Sequence, residues 1–247
     1  MGDFEILEKS KLSEAERMAV ERFCWEVREN LEQNLMSITL YGSSARDDYM
    51  PGRSDINLLV LTSSLGFSTM QSLLDPIARG LRVGIHPLLM TEADLLSSTD
   101  IFPVKFLSMK ESHYTLWGED PLEELSIARE HIRLRCEQEI MNLLLRLRRH
   151  YVYHGGWNLA DKIVGSLTGF MENLRYAMSL DLDQVMDRSQ VLASAEKYGI
   201  PVAALSRAMA LKFEPTPRDE IEKIYEEYLV AVERAARMVD AWGSDKG

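Results

Sequence analysis

Cysteine is scarce in this chain: there are two in 247 residues, Cys24 and Cys136, at a separation that fits no metal-binding spacing. Both lie in segments of apolar periodicity, so they read as buried free thiols in a reducing compartment rather than as a disulfide. Long apolar runs are absent too. None approaches the about 20 residues that a membrane-spanning helix requires. The opening residues, MGDFEILEKSKLSEAER, carry charge where a secretory signal has its apolar centre. Met1-Gly2 is followed at position six by Ile6, not by the Ser or Thr of a myristoylation signal. Basic charge is the third shortage: 28 Lys and Arg stand against 39 Asp and Glu, a formal charge of -11. Broad, sequence-independent nucleic-acid binding rests on phosphate neutralisation by Lys and Arg, and this balance argues against it. A local pocket for one nucleotide stays open. Repeats and low-complexity tracts are missing as well, and these absences together describe a cytoplasmic, globular protein.

The remaining composition, 46% hydrophobic and 27% charged, suits one large domain or two modest ones. From Ser13 to Asn34 the apolar residues Met18, Val20, Phe23, Cys24, Val27 and Leu31 recur near the helical period, with Ser13 and Glu16 as a capping box. Ser37 to Tyr41 and Ile56 to Thr62 read as strands, the second apolar enough to be buried on both faces. Phe67 to Arg79 reads as a helix and Leu81 to Met90 as a third strand, which Pro87 places at an edge or a strand end. Two short helices and a brief strand at Tyr114 to Trp117 follow. Past Pro121 the texture becomes helical: Ala128 to Tyr153, Trp157 to Leu180, Ser189 to Tyr198, Pro201 to Lys212 and Pro217 to Trp242, joined by short connections that suggest an up-and-down bundle. The last residues, GSDKG, read as frayed. The expected fold is therefore an α/β (α+β) domain with a small mixed sheet over residues 1–120, and an all-α helical bundle over 121–247.

The chemistry concentrates in YGSSARDDYMPGRSDINLLV, residues 41–60. It reads as the end of a strand, a Gly-Ser turn, a helix start, a Pro-Gly loop and a second strand opening at Ser54-Asp55. On a strand, positions i and i+2 share a face, so Asp55 and Asn57 converge on one site. Gly42 allows the backbone close to a phosphate, and amides at a helix start present donors to it. Ser43 adds a hydroxyl. Taken singly these features are weak: Gly and Ser populate turns generally, and Asp55 alone could cap a strand end or pair with Arg53. Asp47 and Asp48 suit a helix N-terminus or a solvated loop.

Together, Gly42-Ser43 and Asp55-Ile56-Asn57 resemble the nucleotidyltransferase superfamily, in which a Gly-Ser pair precedes an Asp-x-Asp by about a dozen residues. The segment around residues 97–125 is similar to the linker of bacterial proteins that join such a domain to a helical domain like that of aminoglycoside nucleotidyltransferases. The resemblance implies transfer of NMP from ATP or another NTP to an acceptor hydroxyl, with Mg²⁺ as the cofactor. It implies Gly42, Ser43, Ser44, Arg46 and Ser54 at the nucleotide, Asp55 as the metal ligand, and catalytic roles for Asp55, Asn57 and His86. The chain departs from the pattern in two places. Asn57 stands where the second carboxylate is expected, and LRVGIHPLLM, where a third should lie, has no Asp or Glu; His86 is its polar residue. The alternative is therefore a catalytically inactive nucleotide-binding or regulatory pseudoenzyme.

Three further features have two readings each. Arg129, Arg133, Arg135, Arg146, Arg148 and Arg149 could face phosphate, or could pair with Glu130, Glu137 and Glu139 on a solvated surface, the reading favoured. Arg149 and His154 resemble the Arg-x4-6-His motif of HEPN ribonucleases, although chance spacing explains them more simply. Trp157, Phe170, Tyr176 and Trp242 fall at helical spacings and read as core rather than as a base-stacking platform.

Overall fold

The computed structural model describes residues 4–52 and 54–244, with no side-chain description beyond residue 241. The chain divides into two compact units, Met1–Ile127 and Ala128–Gly247.

In the first unit, helix α1 (Glu14–Leu31) starts where the sequence places its cap: the Ser13 hydroxyl accepts from the Glu16 amide, and the Glu16 carboxylate accepts from the Ser13 amide. Its buried stripe is Val20, Phe23, Cys24, Val27 and Leu31. Four strands follow, β1 (Leu35–Tyr41), β2 (Ile56–Thr62), β3 (Ile85–Thr91) and β4 (His113–Gly118), in the order β3-β2-β1-β4. β1 runs antiparallel to β2 and β4, whereas β2 and β3 are parallel, so the sheet is mixed. The parallel pair needs a crossover, which α2 (Phe67–Leu81) supplies. β3 is an edge strand, where the missing amide of Pro87 costs no ladder bond.

Alternation along the strands makes two cores. Ile38, Leu40, Leu58, Val60 and Ile85 pack with α1 and Leu73 of α2 on one side. Leu59, Leu61 and Met90 face the other side, with Leu95 of α3 (Glu92–Ser97) and Phe106 and Met109 of α4 (Pro103–Glu111). Leu122 and Leu125 join this second core, which carries the first unit past Pro121 to Ile127. At the far edge, the Arg28 guanidinium lies 4.2 Å from the Trp25 ring centroid and 3.4 Å from that of Trp117, a cation–π clasp between α1 and β4.

Two local expectations are corrected. The helix start after Gly42-Ser43 is a single four-residue 3-10 turn, Gly42–Ala45. Leu81 to Gly84 are not strand: Leu81 ends α2, and Val83 and Gly84 donate back to Gly80 and Leu81 in a turn that Gly84 closes at φ +80°. The apolar letters of that stretch hid a helix end that only the left-handed glycine marks.

The second unit is all helix: α5 (Arg129–His154), α6 (Leu159–Asp181), α7 (Val191–Ala195), α8 (Val202–Ala210) and α9 (Arg218–Ser244). α6 and α9 pack on α5 and on each other. The buried Tyr225 hydroxyl donates to the Leu147 carbonyl at 2.7 Å, and that of Tyr228 meets Ser166 Oγ at 3.1 Å, so the core tyrosines keep their polar ends satisfied. Phe170 and Tyr176 are core residues, as read from the sequence. Trp157 is not. It lies in the α5–α6 turn and is 66% exposed, and the side chain of Trp242 falls outside the described residues. Cys24 and Cys136 are free and buried, and burial pushes the Cys136 thiol up to about 12.

Gly118 ends β4 at φ +76°, and a Cβ there would lie 2.0 Å from the Met36 carbonyl oxygen. Gly84 has a similar φ of +80° but open space around it. Gly84→Ala should cost about 1–2 kcal/mol from backbone conformation alone. Gly118→Ala should cost distinctly more, about 3–4 kcal/mol, because the β1–β4 backbone must shift. Urea midpoints of the two variants check the difference, and equal losses would contradict it.

Candidate functional site

β1 ends, and β2 and β3 begin, at one end of the sheet. The register pairs Tyr41 with Asn57, Asn57 with His86, and Tyr41 with His113, so four side chains form one row across β3, β2, β1 and β4. Directly paired residues share a face, and this face continues into the core of Leu59, Leu61 and Met90. Asp55, two residues before Asn57, falls on the same side. Its Oδ1 lies 3.4 Å from His86 Nε2, with the two side chains 67% and 47% exposed. An ion pair this accessible is worth about 0–1 kcal/mol, so the contact does little to hold the fold.

Gly42 takes φ +81°, and a Cβ on it would stand 3.4 Å from Asn57 Nδ2. The turn thus lies directly over the Asn57 amide, which has no hydrogen-bond partner among the described residues. The Ser43 hydroxyl is similarly without one among the described residues. Ser44 differs: it is fully buried and donates to the Tyr41 carbonyl at 3.0 Å, so its hydroxyl shapes the turn. Arg46 forks onto Asp48 at 3.0 and 3.2 Å. The Ser54 hydroxyl accepts from the Met50 amide at 3.2 Å and closes the loop before Asp55. Asp47 and Asp48 are exposed loop residues, the first paired with Lys11 at 3.0 Å. Arg53 lies outside the described residues. The structure therefore sets Gly42 against Asn57, Asn57 beside His86 and His86 against Asp55, with Ser43 next to Gly42 in the turn, while Ser44, Arg46 and Ser54 are engaged within the loop.

The sequence reading missed the residue that anchors this loop. Beyond capping α1, Glu16 accepts from the Tyr49 hydroxyl at 2.9 Å and the Gly52 amide at 3.2 Å. Burial pushes its carboxyl up, but the hydrogen bonds from Ser13, Tyr49 and Gly52 outweigh that and hold it below the usual carboxylate range. Burial and the same contact with Glu16 push the Tyr49 hydroxyl well up. At the other end of the row, His113 reaches Asp120 at 2.8 Å and the Met109 carbonyl at 3.1 Å, fastening β4 to the chain that follows it.

A pair of Mg²⁺ ions, the usual clamp of nucleotidyl transfer, does not fit this donor set. Mg²⁺ seeks carboxylate oxygen, and a two-ion site holds dications about 4 Å apart. By Coulomb's law such ions repel by about 4 kcal/mol in bulk water and about 16 kcal/mol at the effective dielectric of a protein surface. Asp55 contributes the one negative charge on the row; Asn57 is neutral and His86 is an imidazole. Among the described residues no three His, Cys, Asp or Glu are grouped to hold a metal.

On α5, Arg133 pairs with Glu137 at 2.9 Å, Arg135 with Glu139 at 2.8 Å, Arg148 with Glu233 at 3.6 Å, and Arg129 with Asp183. The pairs with Glu137 and Glu139 are those read from the sequence, whereas Arg129 and Arg148 find Asp183 and Glu233 instead. Arg149 is exposed, and the His154 ring lies 4.7 Å from that of His150. Five residues apart on a helix, Arg149 and His154 are rotated by about 140°.

The small mixed sheet bearing this row, followed by an all-helical unit, is an arrangement that the chain shares with a solved structure. Among solved structures it is similar to spectinomycin adenyltransferase AAD(9) from Enterococcus faecialis, determined with ATP and spectinomycin. The likeness covers 88% of this chain and 98% of that one at a TM-score of 0.59 and 15% identity, which is a likeness of fold. The sequence matches no protein-family profile and no curated protein. No helix among the described residues is long and apolar enough to cross a membrane.

Because the folded state holds Glu16 low, its contribution to stability is full above the ordinary glutamate value of 4.5 and is lost as pH falls below that value. Glu16→Gln should lower stability at neutral pH by about 1–3 kcal/mol and flatten the loss on acidification. Urea midpoints from neutral pH down to acid check this, and parallel pH profiles for the two proteins would contradict it.

Proposed function

We propose that the first unit binds a nucleoside triphosphate at the Gly42–Ser43 turn and the Asp55–Asn57–His86 row, and that two-Mg²⁺ nucleotidyl transfer has been lost from this site. The observation that carries the reading is the row itself. It retains the glycine turn, a serine hydroxyl with no partner among the described residues, and the first carboxylate that phosphate recognition needs. It replaces both other carboxylates by groups that cannot neutralise a second cation. The likeness to an adenyltransferase determined with ATP supports nucleotide as the ligand class.

In this reading the Gly42 backbone approaches the phosphates because no Cβ stands between it and Asn57, and Ser43 donates to a phosphate oxygen. Asp55 faces the same ligand through whatever cation accompanies it. Without carboxylates at positions 57 and 86, nothing in the row draws a second cation to an acceptor oxygen. A second reading, transfer of NMP to an acceptor hydroxyl with His86 as general base, is favoured by the presence of both ATP and spectinomycin with the solved adenyltransferase.

Calorimetry with ATP, with and without Mg²⁺, tests binding. The expected result is saturable binding that Mg²⁺ strengthens by less than about tenfold, one decade being 1.4 kcal/mol. Absence of ATP binding in both conditions would overturn the proposal. Incubation with labelled ATP and Mg²⁺ separates the two readings. Label transferred by the wild type and lost in Asp55→Ala establishes the enzyme, whereas the proposal expects no transfer by the wild type and a gain in Asn57→Asp/His86→Asp.

A further inference from the structure

The mismatch with Mg²⁺ has a constructive side. Asp55 Oδ1 and His86 Nε2 converge to 3.4 Å from the starts of two parallel strands. An ion bound at about 2.0–2.1 Å to both needs them about 3.0–3.4 Å apart, so one cation can touch both without moving the backbone. Their exposure leaves the remaining coordination positions open to water and ligand oxygens, and the Asn57 side chain stands on the same face, directly opposite His86 in the register. The donors are one carboxylate, one imidazole and one amide. Imidazole suits first-row transition ions, whereas carboxylate, carbonyl and water suit Mg²⁺. The substitution that spoils the Mg²⁺ pair therefore makes a different site.

We propose that Asp55 and His86, assisted by Asn57, hold a single divalent first-row transition ion of the Mn²⁺, Co²⁺ or Zn²⁺ type in preference to Mg²⁺, and that this ion accompanies the nucleotide. The location of the nucleotide rests on the function proposed above; the ion site rests on the Asp55–His86 geometry alone. Two further donors at this end of the first unit are committed elsewhere. The Glu16 carboxylate is engaged by Ser13, Tyr49 and Gly52, and His113 is engaged by Asp120.

Co²⁺ is the informative probe because its visible ligand-field bands report nitrogen ligation directly. Titrating the full chain with Co²⁺ alone should produce such bands, and His86→Ala and Asp55→Ala should each abolish them. With a non-hydrolysable ATP analogue added, the Co²⁺ complex should bind at least about tenfold more tightly than the Mg²⁺ complex, the step expected of one added imidazole ligand. His86→Ala should erase that preference and His86→Asp should reverse it. His86 is exposed, so its variants should fold, which circular dichroism confirms. Absent Co²⁺ bands in the wild type, or bands that persist in His86→Ala, overturn the inference. If the analogue binds equally well with Co²⁺ and Mg²⁺, the inference falls and nucleotide binding stands. If Co²⁺ binds through His86 and no analogue binds with either ion, the ion site stands and the nucleotide reading falls.

Discussion

The parallel pairing of β2 with β3 is the constraint on which the site depends. It sets Asn57 opposite His86 and, through the two-residue period of a strand, brings Asp55 to the imidazole. A slip of one residue would turn His86 to the other face and set an apolar side chain against Asp55. The strand that carries Asp55 and Asn57 into the site is held by burial on both sides. Leu58 and Val60 belong to one core and Leu59 and Leu61 to the other. The energy that specifies the polar row comes from the apolar residues after it. Truncating any one of them would cost about 2–5 kcal/mol, far more than the exposed Asp55–His86 contact contributes.

A second constraint acts on the loop between the strands. The Glu16 carboxylate lies on the first turn of α1, yet its acceptors hold Tyr49 and Gly52 in the segment that delivers Ser54 and Asp55. Helix initiation and the shape of the candidate site thus share one ionised group. The same economy appears at Gly42, whose left-handed backbone both closes the strand and clears space over Asn57.

Much of this was legible in the sequence because it is local. The α1 capping box, the doubly buried β2 and the edge position of β3 follow from period and residue type. The helical texture of the second unit follows from the same signals. What was not legible depends on distance in the chain or on a single backbone angle. Leu81 to Gly84 read as strand because their apolar letters do not reveal the left-handed Gly84. Trp157 read as core because spacing alone does not show that α5 has already ended. The link from Glu16 to Tyr49 spans 33 residues and leaves no periodic trace. The engagement of Ser44 and Arg46 within the loop likewise became visible only once their partners were placed. His86 was noticed as a missing carboxylate, and the structure adds that its nitrogen meets Asp55.

The central claim is that the polar row serves one cation and one nucleotide rather than two Mg²⁺ ions. A crystal structure with a non-hydrolysable ATP analogue and Mn²⁺, read by its anomalous signal, tests it most directly. The account predicts a single peak bonded to Asp55 and His86, with the triphosphate over Gly42. Two peaks bridged by Asp55, or a nucleotide bound with no ion at the row, would contradict it.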